Sequence, residues 1–536
     1  MNRKLRLATL VLVGLLLAVS VTAQPNSQGH DGKSIAAAIQ QASPGDTIRL
    51  PEGTYELDGP VELKSGMKLI GASQDKTTLI YRGTNRSRLI SIDGCENVEI
   101  AHLTLDGRNN PSVVEGVFAK NSRRLWLHHL TIRNLAKSDT FGPHGILFSG
   151  RNPTTEEGVT DSRITDCLIE NIGLEAKFGS GIRMAWGSVR NQVLRNVVRN
   201  TGRGGIFGSR SAELVIRENR VSGSGGSGLG IEIWGGCPRS LIEDNVIDHW
   251  LSVDRSSQSA VRRNTIGTED GTLKAIGIEV IARDVVVTDN VVMRGAQVGL
   301  SVSNKSVKNN IFWGYNTVRE CNQWGAQLQG ESGGIAHHYF YRCTFTDTVR
   351  GDPRARYPDS GHGFRTNGSC RGLVFEQCAF DRNGGHGVQL GGPKVDVLDF
   401  RRSTIQGNAM NAVTGPREYT ALTFTDCRVQ GNKSDHLPDV RPFGTAAPTA
   451  DFRIPATIRA GEPVQFQCTS RTERSKIAEW LWDFGQGIPE TTANPQHTFD
   501  QPGKYRVTLI VWDEADRGAR AERIIEVTDS RLPSSP

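Results

Sequence analysis

Apolar residues in this chain fall into short runs that alternate with polar ones at period two, and the runs recur at a fixed spacing. One series opens on Asn or Cys: Cys167-Leu-Ile, Asn196-Val-Val, Asn219-Arg-Val, Asn245-Val-Ile, Asn264-Thr-Ile, Asn290-Val-Val, Asn316-Thr-Val, Cys343-Thr-Phe, Cys378-Ala-Phe and Cys427-Arg-Val. From Cys167 to Cys378 successive copies lie 19 to 35 residues apart. Between them runs a second series that opens on Gly, with an apolar residue on either side of a variable one: Gly145-Ile-Leu-Phe, Gly181-Ile-Arg-Met, Gly205-Ile-Phe-Gly, Gly230-Ile-Glu-Ile, Gly277-Ile-Glu-Val, Gly299-Leu-Ser-Val, Gly325-Ala-Gln-Leu, Gly363-Phe-Arg-Thr and Gly387-Val-Gln-Leu.

Each repeat thus carries at least two short strands separated by Gly, Asn, Asp and Ser, and helical periodicity is nearly absent. A Leu-rich consensus is missing, so the pattern predicts an all-β right-handed parallel β-helix rather than a leucine-rich solenoid. Equivalent positions then stack at about 4.8 Å per turn. The Asn and Cys columns are expected to be inward ladders that hold the fold rather than perform chemistry.

Composition agrees: 60 Gly, 7% aromatic and 37% hydrophobic residues suit many turns around a thin continuous core. Residues 1–23 read as a signal peptide, with Arg3, Lys4 and Arg6 ahead of the apolar run Leu7 to Val19 and Val21-Thr-Ala23 as the cleavage site. Export is expected, to the medium, cell surface or periplasm, with no membrane span in the mature protein. Loss of the three basic residues lowers the formal net charge from +6 to +3, which argues against a nucleic-acid or acidic-polymer partner. Of nine cysteines, Cys167, Cys343, Cys378 and Cys427 interchange with Asn in the strand-opening column, and Cys95, Cys237 and Cys370 share a turn position. They are expected to be buried and mostly reduced. No CxxC or Cys/His metal spacing occurs, and no residue is read as a metal ligand of that kind.

Lys33 to Ala42 reads as a short amphipathic helix. The following Gly45-Asp-Thr-Ile-Arg-Leu-Pro-Glu-Gly-Thr-Tyr55, Met67-Lys-Leu-Ile-Gly71 and Thr78-Leu-Ile80 resemble the entry turns of pectate-lyase-like β-helix proteins, in which a helix caps the open end. The β-helix is assigned to residues 24–440 and a linker to 441–449. In residues 450–530, Trp480-Leu-Trp-Asp-Phe-Gly-Gln-Gly487, Asn494-Pro-Gln-His-Thr-Phe499 and Pro502-Gly-Lys-Tyr-Arg-Val-Thr-Leu509 are similar to the polycystic-kidney-disease (PKD) module, an Ig-like β-sandwich. Gln486 stands where that family usually has Asp. The resemblance implies attachment or spacing. Residues 531–536 form a tail.

The residue between the apolar pair of each Gly-opened strand must point outward, which aligns Leu147, Arg183, Phe207, Glu232, Ser252, Glu279, Ser301, Gln327, Arg365 and Gln389 in one column. Two residues on, Trp234 and Asp254 share a second column. Glu232, Asp254 and Glu279 come from successive turns of one face, with Glu232 and Glu279 about 10 Å apart by stacking. Such carboxylates can serve a glycosidase as acid and base, or hold Ca²⁺, the one cofactor the pattern suggests. A further group places Trp324, His362 and His386 on consecutive turns, flanked by Gln327, Arg365 and Gln389. There His can transfer a proton and Arg can neutralise a uronate carboxylate, as a lyase requires. Trp234, Trp324, Gln327 and Gln389 are candidate sugar contacts. His337, His338 and Arg342 belong to another wall, and the long loop Asp347 to Ser360, with Arg350, Arg354, Arg356 and Tyr357, is placed to border a groove.

Other matches carry little. Gly223-Ser-Gly-Gly-Ser-Gly228 fits a dinucleotide pattern but precedes a strand. Gly361-His-Gly363 and Gly385-His-Gly387 resemble the Gly-His-Gly of polygalacturonases, whose paired Asp-Asp, Asn-Thr-Asp and Arg-Ile-Lys motifs are missing. Phe141-Gly-Pro-His144 resembles the Tyr-Gly-Phe-Asp-Pro-His of mannuronan epimerases, but Gly142 stands where Asp is expected, although Asp139 is near in sequence. The expectation is an exported monomer that binds a polysaccharide and degrades it as a glycoside hydrolase or polysaccharide lyase. The alternative is a non-catalytic adhesin or scaffold, with the β-helix as a rod and the PKD module as its adhesive end. A groove along the Glu232 to Gln389 face favours the enzyme, and a flat face the scaffold.

Overall fold

The computed structural model describes residues 20–22, 32–138, 141–150, 158–225, 228–268, 275–294, 296–304, 309–330, 334–351, 358–392, 394–415, 418–444 and 446–529. Most of the expected signal peptide, Asp139, loop residues 352–357 (which include Arg354, Arg356 and Tyr357) and the tail lie outside them. Ser20–Thr22, within the segment expected to be cleaved, pairs in parallel with Thr47, Ile48 and Arg49.

The repeats form a parallel β-helix with three strands per full coil, as in Gln192–Leu194, Val197–Thr201 and Gly204–Ser209. The Gly-opened strands build one wall, a parallel sheet of fourteen described strands from Val61–Glu62 to Val413–Thr414. The helix spans Gly32–Gln41 and buries Ile35, Ala38 and Ile39 on the first coil. Lys64 Nζ donates to the Ile39 carbonyl at 2.9 Å, serving one of the acceptors that every helix leaves open at its C-terminus.

The strand-opening column is a buried ladder. The side-chain oxygen of Asn245 accepts the backbone N–H of Asn219, and that of Asn264 accepts the N–H of Asn245, at 3.0 and 3.1 Å. The Asn245 amide donates to Ile216 O, Glu243 O and Asn264 Oδ1 at 2.9 to 3.0 Å, so a fully buried polar group is satisfied by the turns on either side. Cys167 ends this run on one side and Cys343 on the other; a shorter one links Asn383, Asn408 and Asn432. All nine cysteines are free thiols, seven of them buried.

The ladder explains the corner before it. Asp166, Arg195, Glu218, Asp244 and Arg263 each precede a ladder residue with φ between 52° and 59°, a left-handed turn costly to L residues. That turn aims their side chains outward, where Arg195 meets Asp166 and Arg263 meets Asp244, each at 2.8 Å. The Gly column has a different cause, since a Cβ on Gly205 would stand 2.2 Å from Val221 Cγ1, and only hydrogen fits. Towards the C-terminal end Ile and Val give way to an aromatic stack, Trp313, Phe340, Phe375, Phe400 and Phe424, with centroids 4.6 to 5.6 Å apart.

The C-terminal module is an antiparallel sandwich around Phe452, Phe466, Trp482, Phe484 and Phe499. It docks along the flank of the β-helix rather than extending from its end. Leu481, Ile510 and Trp512 pack on Val286, Phe312, Tyr339, Tyr341 and Val374, outward residues of successive strands on a wall other than the Gly-opened one. The physical cause is an apolar stripe on that wall, rimmed by ion pairs from Arg262 to Asp483, Arg506 to Asp289 and Arg520 to Glu376. His337 sits between Glu479 and Asp516 at 2.8 and 2.7 Å, and His338 accepts from Trp313 Nε1, so neither reaches the Gly-opened wall.

Candidate functional site

Strand pairing on the Gly-opened wall reproduces the expected outward column: Leu147 aligns with Arg183, then Phe207, Glu232, Ser252, Glu279, Ser301, Gln327, Arg365 and Gln389. A cleft of about 440 Å³ runs along it, floored by Glu279, Ser301, Gln327 and Arg365 and walled by Pro358 and Asp359 from the end of the long loop. The cleft covers the Glu279 to Arg365 part of the face, and Glu232 and Gln389 lie outside its lining.

Glu232 and Glu279 are outward residues separated by one strand, that of Ser252, hence about 10 Å apart along the backbone. Both are nearly covered, at 5% and 9% exposure. Burial pushes the Glu232 carboxyl up to about 7; Arg203 opposes this, and the charges of Asp254 and Glu279 add to it. Arg203 approaches Glu232 Oε2 at 3.7 Å, an ion-pair distance too long for a hydrogen bond. Glu279 is also raised by burial, but it accepts hydrogen bonds from Trp250 Nε1 (3.2 Å), Ser252 Oγ (3.0 Å) and Ser303 Oγ (3.4 Å), which favour its anion. Asp254 stands one register further along and pairs with Arg255.

Upstream, Arg183 and Phe207 of the aligned column and His144 of the Phe141-Gly-Pro-His144 motif meet Glu115 and Arg203, which the sequence pattern did not single out. Arg183 is sandwiched between Phe141 (4.7 Å) and Phe207 (4.4 Å), and burial, together with Arg203, lowers it to about 10. His144 is fully buried and both its ring nitrogens lack hydrogen bonds, as do Arg183 Nε, Arg203 Nε, Glu232 Oε2 and Glu115 Oε2, the last two being within ion-pair distance of Arg203 and Arg88. Burial, with Arg183 nearby, holds His144 well below the usual imidazole range. Native interiors leave few such atoms, and these six of the twenty among the described residues fall in this part of the wall. Glu115 and His144 pair across adjacent strands, but Arg203 comes from a turn and belongs to no column.

The second candidate group has a different geometry from that expected. Trp324 is 3% exposed, donates to the Asp359 carbonyl at 3.1 Å and is covered by the Arg365 guanidinium at 4.6 Å, so its ring face is already occupied. His362 and His386 stack at 5.0 Å as a ladder. His362 Nδ1 accepts the backbone N–H of His386 and His386 Nδ1 that of Asn411, while His362 Nε2 faces Asp359 at 2.9 Å. Burial lowers both histidines, His362 to about 4 despite Asp359. With both ring nitrogens engaged, His362 is not a free base; Asp359, which also takes Gln389 Nε2 at 3.2 Å, is the organiser that the pattern missed. Trp234 is half-buried, with Arg210 and Arg255 over its ring at 5.9 and 5.2 Å.

Among the described residues, one group of three His, Cys, Asp or Glu side chains brings its ligand atoms within 4.8 Å of one another: His102, His128 and His129. Glu232, Asp254 and Glu279, expected as a Ca²⁺ set, do not converge in this way, because two of them stand a strand apart on either side of Ser252 and the third lies in another register.

Residues 445–528 match the PKD domain family and residues 85–247 the right handed beta helix region family. Collagenase ColQ1 of Bacillus cereus is 37% identical over 90 residues, 17% of this chain and 9% of the collagenase. The PKD1 domain of the Vibrio cholerae metalloprotease PrtV is 32% identical, covering 16% of this chain and 99% of that one, with a TM-score of 0.15. The catalytic unit of a thermostable alpha-1,3-glucanase from Streptomyces thermodiastaticus covers 77% of this chain and 69% of its own at 14% identity and a TM-score of 0.42. The chain thus spans about a tenth of the curated relatives it matches. It is a right-handed parallel β-solenoid with one N-terminal helix and a C-terminal PKD-like domain. No helix among the described residues is long and apolar enough to cross a membrane.

Proposed function

We propose that this is an exported carbohydrate-active protein that binds a polysaccharide along the Gly-opened wall and hydrolyses a glycosidic bond, with Glu232 as the general acid and Glu279 as the base. The observation that carries the reading is the pair itself: two covered carboxyls separated by one strand, Glu232 raised to about 7 with an unbonded oxygen, and Glu279 held by three donors that favour its charge. Glu232 keeps its proton near neutrality and can deliver it to a leaving oxygen, while Glu279 activates water from the opposite side, an arrangement suited to inversion. Asp254 supplies charge that raises both. Gln327, Arg365 and Gln389 extend the groove as sugar contacts, and Trp234 offers a partly open ring.

A second reading rests on His144. Its imidazole is fully covered, so the Phe141 ring 4.8 Å away must first move aside; the neutral ring then takes a proton beside a uronate carboxylate that Arg183 and Arg203 neutralise, and the glycosidic oxygen leaves by β-elimination, taking a proton from water. In that case the lyase residues are these rather than His362, His386 and Arg365.

Incubation with neutral and uronate polysaccharides, following reducing ends and unsaturated products together, tests both readings. Reducing ends alone support hydrolysis and both signals support elimination. Binding with neither signal would return the protein to the scaffold class.

A further inference from the structure

We infer that His102, His128 and His129 form a binding site for a divalent transition-metal ion of the Zn²⁺ kind, stapling two successive coils on a wall other than the grooved one. His102 lies in Glu99–Asp106 and the other two in Trp126–Leu135, strands that pair in parallel outside the Gly-opened sheet.

The corner geometry sets the site apart. The strand register places His102 beside His129, and both have left-handed backbone, with φ of 58° and 49°. In later coils this corner holds residues of opposite charge that pair across coils, such as Arg195 with Asp166. Here two imidazoles stack at 4.9 Å instead, and a third, His128, meets them edge-on at 5.5 and 5.2 Å. One ligand nitrogen from each ring lies within 4.8 Å of the other two.

The tautomers suit a metal. His128 Nε2 lies 3.3 Å from Glu99 Oε1, a carboxylate that Lys68 fixes at 2.8 Å, so His128 donates there and turns the Nδ1 lone pair towards the cluster. His128 Nδ1 and His129 Nδ1 are 2.9 Å apart, and two such nitrogens need either a shared proton or a shared cation. A tetrahedral zinc site with bonds of about 2.0–2.1 Å spaces its nitrogens by about 3.3 Å, so movement of the side chains by about an ångström closes the set. The His129 proton has another place, the second nitrogen of an exposed ring. Trp126 stacks on His128 at 3.9 Å and Arg163 caps Trp126 at 3.9 Å, holding the buried ring in place. A carboxylate behind a ligating His is the outer support that such sites use. Imidazole donors select Zn²⁺, Ni²⁺ or Cu²⁺ over Ca²⁺ or Mg²⁺, and three protein ligands leave a fourth position for water.

The test uses the full, untagged chain stripped with chelator and titrated with Zn²⁺ by calorimetry, and with Co²⁺ by visible absorption. The expected result is one ion per chain, a ligand-field spectrum with Co²⁺ and a higher melting temperature with Zn²⁺. His102→Gln and His129→Gln should each weaken binding at least about tenfold. Gln is tolerated at this corner, since Gln377 occupies it with φ 54°. His436→Gln, an exposed histidine elsewhere, should leave binding unchanged. Absence of both heat and spectrum in the unsubstituted chain would overturn the inference, as would equal affinity in the two corner variants. Neither outcome depends on the hydrolase reading.

Discussion

Arg262 of the β-helix and Asp483 of the sandwich meet at 2.6 Å with side chains 1% and 2% exposed, and the Arg262 guanidinium also donates to the Gly487 carbonyl. Such a pair gains little over an apolar contact of the same shape, but each partner is needed once the other is buried. Asp483→Ala or Arg262→Ala should therefore lower stability by about 3–5 kcal/mol in chemical denaturation. The double replacement by Leu and Met should recover much of that loss. An unchanged midpoint in the single variants would mean that the sandwich is not seated on the wall.

His337 makes the same interface pH-dependent. Burial opposes its charge, yet hydrogen bonds and charges from Asp516 and Glu479 outweigh burial and raise its pKa. Arg371 also approaches Asp516, at 3.5 Å, and His338 is the neighbouring buried ring. A folded pKa above the unfolded value stabilises the protein at low pH, and that contribution fades as pH rises through the folded pKa. Melting temperatures between about pH 6 and pH 9 should fall more steeply for the wild type than for His337→Gln. Parallel curves would remove His337 from the account.

The Asn ladder should be intolerant of truncation. Asn245→Ala leaves the Asn219 N–H without its acceptor and removes the side-chain donor to the Ile216 carbonyl, while the Glu243 carbonyl keeps the Glu218 N–H, at about 1–3 kcal/mol for each group left unsatisfied. Gly205→Ala drives a methyl into Val221 and should cost at least about 1–3 kcal/mol. Urea denaturation of the two variants checks both values, and a loss under half a kilocalorie in either would contradict the ladder's role.

Much of this was legible in the chain because the constraints repeat. Gly205 recurs as Gly in coils where a Val or Ile of the following coil fills the space of a Cβ, as at Gly181 and Gly277, and Asn245 recurs as Asn from Asn196 to Asn316, so strand register followed from spacing and Glu232 fell beside Ser252 and Glu279 as aligned. What escaped depends on residues outside the repeat. Arg203 and Asp359 come from turns, yet the first opposes burial at Glu232 and the second occupies Trp324, His362 and Gln389. Val286, Phe312 and Val374 read as ordinary strand residues, and their outward apolar stripe has meaning only once Leu481 and Trp512 cover it. His102 and His129 lie 27 residues apart at one corner, and recognising the pair required tracking that corner as its own column.

For Glu232 the expected pH behaviour is specific. A general acid works while protonated, so the rate should fall as pH rises through about 7, with a lower limb where Glu279 takes up its proton. Glu279→Gln should remove the lower limb along with most of the turnover, and a rate that climbs steadily above neutrality would contradict the assignment.

The most direct measurement compares the wild type with Glu232→Gln on the same polysaccharide panel, recording turnover, product ends and equilibrium binding. The account predicts reducing ends without unsaturated ends, a turnover number about 10²- to 10⁴-fold lower in the variant, and binding essentially unchanged. Unsaturated products, or a Glu232→Gln chain as active as the wild type, would contradict it.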